Sequence, residues 1–223
     1  MTVDDVGHAR VRRQIAADIR PVRPLRAPWL RAMALVPIAI GLLLVLPLVV
    51  FHVRTDVDRL SPLVSWGASV LQIAIGLAVG VVACRQVVPG RWAPTRVAVA
   101  WMIAGVAGVF AVMWMTWTAS AVRVPPGAWG GSTLGCLEQS FIDGLPLLGV
   151  GLVLCARGLP AKPALAGALV GLSAGVMSDA AWRMVCVVTE PSHVLVGHMG
   201  AVLALSAAGG LLLWLWCRLK RQL

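Results

Sequence analysis

The chain has 223 residues and a formal net charge of +10, yet only 13% of it is charged, 59% is hydrophobic and its mean hydropathy is +0.87. A soluble domain averages about 25% charged and 45–50% apolar residues, so both departures point into a bilayer. They exclude most soluble enzymes, a nucleic-acid-binding domain and a disordered regulator. The basic residues therefore read first as topology signals, with no direct nucleic-acid partner expected.

Residues 1–31 form the one sizeable polar piece, an arm that ends where the first apolar run begins. Val6 to Ile19 reads as helix, with Val11, Ile15 and Ile19 spaced by four as a narrow apolar stripe flanked by Arg12, Arg13 and Arg20. Pro21, Pro24 and Pro28 stop it and lead into the membrane. Two readings stay open. The arm lies on anionic lipid, or it docks as a short helix in a partner's groove and folds on binding.

Six apolar runs follow, at about 32–53, 63–84, 97–120, 136–156, 164–186 and 196–217, leaving a basic tail at 218–223. Each approaches the roughly 20 residues that a helix needs to cross about 30 Å of hydrocarbon. The runs are continuous rather than alternating, which excludes a closed barrel. The first run starts too late and runs too long for a signal-peptide core. Breakers mark the connections: Ser61-Pro62, Pro89-Gly90, Pro94, Pro125-Pro126-Gly127, Gly158 to Pro163, and Pro191. Pro37, Pro47 and Pro146 fall inside spans, where neighbouring helices tolerate kinks. With the N-terminus in the cytoplasm, 15 of the 19 basic residues lie inside and only Arg54, Arg59, Arg123 and Arg183 lie outside. The expected class is thus an all-α polytopic membrane protein with six transmembrane helices and both termini cytoplasmic. Trp29, Trp66, Trp92, Trp129, Trp182 and Trp214 fall near span ends, as interfacial Trp does.

Gly167, Gly171 and Gly175 give the fifth span a stripe along which another helix can approach closely, within the bundle or across a dimer seam. Topology divides the five Cys. Cys84, Cys155 and Cys217 fall at the reducing, cytoplasmic ends of spans and read as apolar fillers. Cys136 and Cys186 fall at the outer ends of antiparallel neighbours, where a disulfide can persist. His52, His193, His198, Glu138, Asp143 and Glu190 map to the same face. Thiolate and imidazole suit zinc, cadmium or copper, so a transient metal at Cys136 and Cys186 stands beside a disulfide or plain packing. No C-x-x-C or H-x-x-x-H spacing is present, and no resident cofactor is expected. Asp179 and Arg183, four apart in the favourable acid-first order, read as a structural pair. Gln72 reads as interhelical glue. Nothing has the pattern of a phosphate loop, a zincin helix or a nucleophile elbow, so an enzyme is not expected.

The segment VRRQIAADIRPVRPLRAPWLR (11–31) resembles the start of the NrsF family, negative regulators of extracytoplasmic-function (ECF) sigma factors. GCLEQSF (135–141), ARGLPAKPALAGALVGLSAG (156–175) and Cys186 continue the resemblance in order, and Ile15 stands where that family has Leu. Light-responsive anti-sigma proteins of the CarR type are similar in size and layout. The resemblance implies a multi-pass anti-sigma factor of the bacterial inner membrane. Its arm would hold an ECF-type sigma factor until an envelope, metal, oxidative or light-derived signal releases it. The sigma-binding role carries onto Asp18, Pro21, Val22, Leu25 and Pro28, beside the stripe of Val11, Ile15 and Ile19. The sensing role carries onto Cys136 and Cys186, with His193 and His198 both open as the matching His. A small six-span transporter or substrate-binding membrane subunit is the competing reading, and would place its polar groups at the bilayer midplane. A membrane thiol oxidoreductase is the third, and would want a C-x-x-C pair.

Overall fold

The computed structural model describes residues 11–14, 16–17, 25–119 and 133–222. Ile15, Asp18, Ile19, Pro21 and Val22 of the arm, Trp129, and most of the connection between the third and fourth spans lie outside the described residues. Among the described residues all regular structure is helical. Six helices are long and apolar enough to cross a membrane: α1 Pro28–Val50, α2 Leu63–Arg85, α3 Thr95–Ala119, α4 Thr133–Ala156, α5 Pro163–Trp182 and α6 Pro191–Leu219.

Proline shapes α1. Pro28 opens it, where a missing N–H costs nothing. The helix tightens to a 3₁₀ turn at Met33–Leu35 just before Pro37, and loosens to a π turn at Leu46–Val50 around Pro47. Each change accommodates a ring that cannot donate to the ladder.

The bundle is organised around α5, which is buried without a break from Leu169 to Trp182. It packs against α1, α2, α3, α4 and α6. Its glycine stripe faces α6, within the chain. A Cβ on Gly175 would stand 2.8 Å from the Val202 Cα, and one on Gly171 would stand 2.7 Å from the Ser206 Cα. Gly167 meets the backbone of Gly209 in the same way, and Ser206 donates to the Ala168 carbonyl at 2.9 Å. Backbone against backbone leaves no side chain that can yield. Gly171→Val is therefore expected to cost at least about 3 kcal/mol, the upper end for overpacking. Thermal unfolding of the solubilised protein checks this, against a neutral change at exposed Gly149, where a Cβ meets nothing within 4 Å.

Two span ends differ from the sequence reading. α5 stops at Trp182 instead of running to 186. The carbonyls just past its end turn to the α1–α2 connection: the Arg54 N–H donates to the Met184 carbonyl at 2.9 Å, and the Arg54 guanidinium donates to the Arg183 carbonyl at 3.2 Å. Arg54 is in turn held by Asp56 at 2.5 Å. α6 starts at Pro191, five residues early, because Glu190 caps it: its carboxylate accepts the His193 N–H at 3.0 Å. Trp182 also departs from an interfacial role, being buried edge-on against Phe51 with ring centroids 5.0 Å apart.

At the face where the arm joins α1, the two connecting turns are tied together. The Leu159 N–H donates to the Val87 carbonyl at 2.9 Å, the Gln86 side chain donates to the Ala93 carbonyl at 3.1 Å, and Lys162 donates to the Thr95 hydroxyl at 2.5 Å. Arg31 reaches from α1 to the Leu154 carbonyl on α4. Val11 and Leu25 of the arm are exposed. The opposite face, reached by the far ends of α2 to α5, carries the polar cluster described next.

Candidate metal centre

Cys136 lies on the first turn of α4, Cys186 in the α5–α6 connection, and His193 and His198 at the start of α6. Five residues separate the two His, which an α-helix would set roughly 140° apart around its axis. Here Val194–Met199 is a π-helix, whose hydrogen bonds run from i to i+5. The wider turn brings both rings to one side, with centroids 5.7 Å apart. Gly197 lies in this turn and lets α6 approach α4: a Cβ there would stand 3.3 Å from the Cys136 Cβ.

One donor atom from each of Cys136, Cys186, His193 and His198 lies within 4.8 Å of the other three. The two sulfurs are 3.9 Å apart, and the Cys186 Sγ is 3.4 Å from the His193 Nε2. A tetrahedral zinc with its usual bond lengths separates two sulfur ligands by about 3.8 Å and a sulfur from a nitrogen by about 3.5 Å. These two distances match a tetrahedral ion, and the set as a whole, spread over 4.8 Å, would have to draw in around it. The sulfurs are separate, since all five Cys are free thiols.

The surroundings orient the rings. Asp179 Oδ1 lies 2.7 Å from the His198 Nδ1, and Asp179 Oδ2 accepts from the Gln72 side chain at 2.5 Å. A carboxylate on Nδ1 fixes the hydrogen there and leaves Nε2 as a lone-pair donor. The His198 Nε2 is buried and has no hydrogen-bond partner among the described residues. The Thr133 hydroxyl plays the corresponding part for His193 Nδ1, at 3.2 Å. A buried nitrogen left unpaired is costly unless something occupies it. A cavity of about 30 Å³ adjoins Cys186, His198 and Asp179, room for about one water-sized occupant. The Cys136 sulfur beside it, followed by burial, pushes the Cys186 thiol up, so that Cys186 holds its proton until something displaces it. At the rim the Ser192 hydroxyl and the His193 N–H hold the Glu190 carboxyl below the usual range.

Both His that the sequence leaves as alternatives are brought to Cys136 and Cys186. His52 and Glu138 are exposed and stand apart from the cluster. Asp143 is buried and pairs with Gln139 at 3.1 Å. The expected direct pair of Asp179 with Arg183 does not form. Asp179 is engaged by Gln72 and His198, and Arg183 spans to α2 and α3. It donates to the Ser65 carbonyl at 2.7 Å, the Ser69 hydroxyl at 2.9 Å, the Val64 carbonyl at 3.0 Å and the Thr116 hydroxyl at 2.5 Å. A guanidinium in a buried site gains more from four fixed acceptors than from one carboxylate already taken. Gln72 does act between helices, as its position in an apolar span suggested. Thr133 carries no signal of this role in the sequence, since a lone Thr at a helix start reads as an ordinary terminus.

No curated protein and no solved structure matches the chain. A family model does, the one described as negative regulator of sigma F, over residues 15–219. That match takes in the end of the arm, all six helices and the four clustered side chains. The chain therefore belongs to the NrsF family of negative regulators of sigma F.

Proposed function

We propose that the protein is an anti-sigma factor of the bacterial inner membrane, with both ends in the cytoplasm, that holds an ECF-type sigma factor on its arm and releases it when the Cys–His centre on the outer face takes up a soft metal ion. It is a regulator and not an enzyme. The observations that carry the reading are the convergence of four donor atoms within 4.8 Å and, on one of these residues, a buried imidazole nitrogen with no hydrogen-bond partner among the described residues. Such a set is built for zinc, cadmium or copper(I). A bound ion would supply strong bonds joining α4, α6 and the α5–α6 connection. Asp179 would carry the resulting shift to Gln72 on α2, and α2 packs beside the first turns of α1, where the arm begins. A second reading rests on the 3.9 Å between the sulfurs. There an oxidant accepts two electrons and the two thiol protons as the Cys136–Cys186 disulfide forms, which removes two ligands.

Co-purification with the cognate sigma factor tests the proposal. The sigma factor is expected to elute with the solubilised chain and to be released by cadmium or zinc, with release reversed by a chelator. Release by peroxide and not by metal would select the disulfide reading. Absence of co-purification under every condition would refute the anti-sigma role.

A further inference from the structure

A second site lies at the opposite face, at the root of the arm. Pro28 and Trp29 of α1, Val81 and Arg85 of α2, and Gly90, Arg91 and Trp92 of the following turn line a cavity of about 480 Å³. Arg85 and Arg91 are exposed, and neither makes an ion pair with a carboxylate among the described residues. Trp29 and Trp92 are also exposed, at 57% and 46%. Two guanidiniums without a carboxylate partner among the described residues therefore sit with two indoles where α1 starts and α2 ends, and the end of a spanning helix is where a bilayer would bring lipid headgroups. The turn is rigid. Gly90 takes the left-handed φ of +73° that lets the chain double back, the Gln86 side chain closes it on the Ala93 carbonyl, and the Val87 carbonyl fastens it to Leu159. A Cβ on Gly90 would meet nothing within 4 Å, so the backbone there faces open space.

We propose that this cavity binds a phosphate ester, with Arg85 and Arg91 as its cationic partners and Trp29 and Trp92 as its walls. Guanidinium groups match phosphate oxygens in pairs, and the end of α2 and the fastened turn set the backbone positions from which the two extend. Position favours the headgroup of an anionic phospholipid over a free phosphate. Trp29 is two residues beyond Ala27, so an occupant of this cavity also sets where the arm leaves the membrane. The site is independent of what the arm binds and of the Cys–His centre.

The test uses the full chain in nanodiscs of phosphatidylcholine, with and without phosphatidylglycerol. Native mass spectrometry counts the retained lipid, and inorganic phosphate and glycerophosphate serve as soluble competitors. The chain is expected to retain phosphatidylglycerol in preference to phosphatidylcholine. Arg85→Gln and Arg91→Gln should each weaken retention about fivefold and the pair about 25-fold, while Arg85→Lys with Arg91→Lys, which keeps the charge and loses the paired donors, should fall between the wild type and the double Gln variant. An unchanged thermal-unfolding midpoint of the solubilised protein confirms that the variants are folded. Displacement by soluble phosphate at comparable concentration would assign the site to a free phosphate ester, and resistance to it would assign it to lipid. Equal retention of the two lipids together with no binding of the soluble esters, or phosphate-ester binding unaffected by the double Gln change, would overturn the proposal. Loss of the sigma factor from the Gln variants with phosphate-ester binding intact would overturn it in favour of an acidic protein surface.

Discussion

Cys136→Ser and Cys186→Ser are expected to insert normally and to lose about 100-fold or more in affinity for zinc or cadmium. Structural zinc sites bind with about 10–16 kcal/mol, so each of four ligands carries roughly 3 kcal/mol, and 1.4 kcal/mol is a factor of ten. Insertion is unaffected because neither thiol supplies the hydrophobic length of a span. Asp179→Asn tests the orientation of His198 separately. It leaves all four ligands in place but removes the charge that holds the Nδ1 hydrogen, and should weaken binding about 10–100-fold, the usual range for an outer partner of a metal-bound His. Cobalt substitution reads the ligand set directly, since thiolate coordination gives a charge-transfer absorption that each Ser variant should diminish. The affinity should also fall as the pH is lowered. The neighbouring Cys136 sulfur and burial raise the proton affinity of Cys186, a bound metal must displace that proton, and acid therefore competes with metal. If titrations of the wild-type chain with zinc, cadmium and copper(I) all give no binding, the cluster is a packed thiol–imidazole core, and only the disulfide reading survives.

Much of the architecture is legible in the sequence because the bilayer imposes it. An apolar run long enough to span must be helical, and the Gly167, Gly171 and Gly175 stripe already marks the closest helix contact. The Cys–His centre is only half legible. That Cys136, Cys186, His193 and His198 share a face follows from counting spans. That they converge on one point depends on the π turn at Val194–Met199, which has no sequence rule comparable to an i, i+4 spacing. His193 and His198 look unrelated on an α-helical wheel, so the ligand set lacks any motif. The end of α5 is illegible for a similar reason. Arg183 to Val185 are compatible with helix, and it is Arg54, more than a hundred residues away, that takes the carbonyls of Arg183 and Met184. The Asp179–Arg183 pair was a local inference defeated by tertiary partners, Gln72 and His198 on one side and α2 with α3 on the other.

Ile15→Asp and Ile19→Asp in the arm are expected to release the sigma factor without lowering the amount of protein in the membrane. All six membrane helices begin at or beyond Pro28, so the bundle assembles without the arm. A soluble partner needs a soluble handle, and the arm is the longest polar stretch of the chain. On the helix that the sequence predicts for the arm, Val11, Ile15 and Ile19 would share one flank, since a four-residue step drifts slowly around the axis. Val11 is 51% exposed and Leu25 is 38% exposed, so these apolar side chains are not absorbed by the bundle. Burying an aliphatic anchor in a partner's groove is worth about 2 kcal/mol at a hot spot, and forcing a carboxylate into the same groove costs more. Arg12, Arg13 and Arg20 would meet acidic patches on the partner and speed its encounter, so Gln at these three should slow association and flatten its salt dependence more than it shortens the bound lifetime. Pull-down of the sigma factor, together with transcription from its promoter, measures both effects: Asp in the stripe should raise transcription to the level of a strain lacking the regulator. Full retention of the sigma factor by a chain lacking residues 1–25 would move binding to the turns at 86–94 and 157–162 and to the basic end of α6, which share that face.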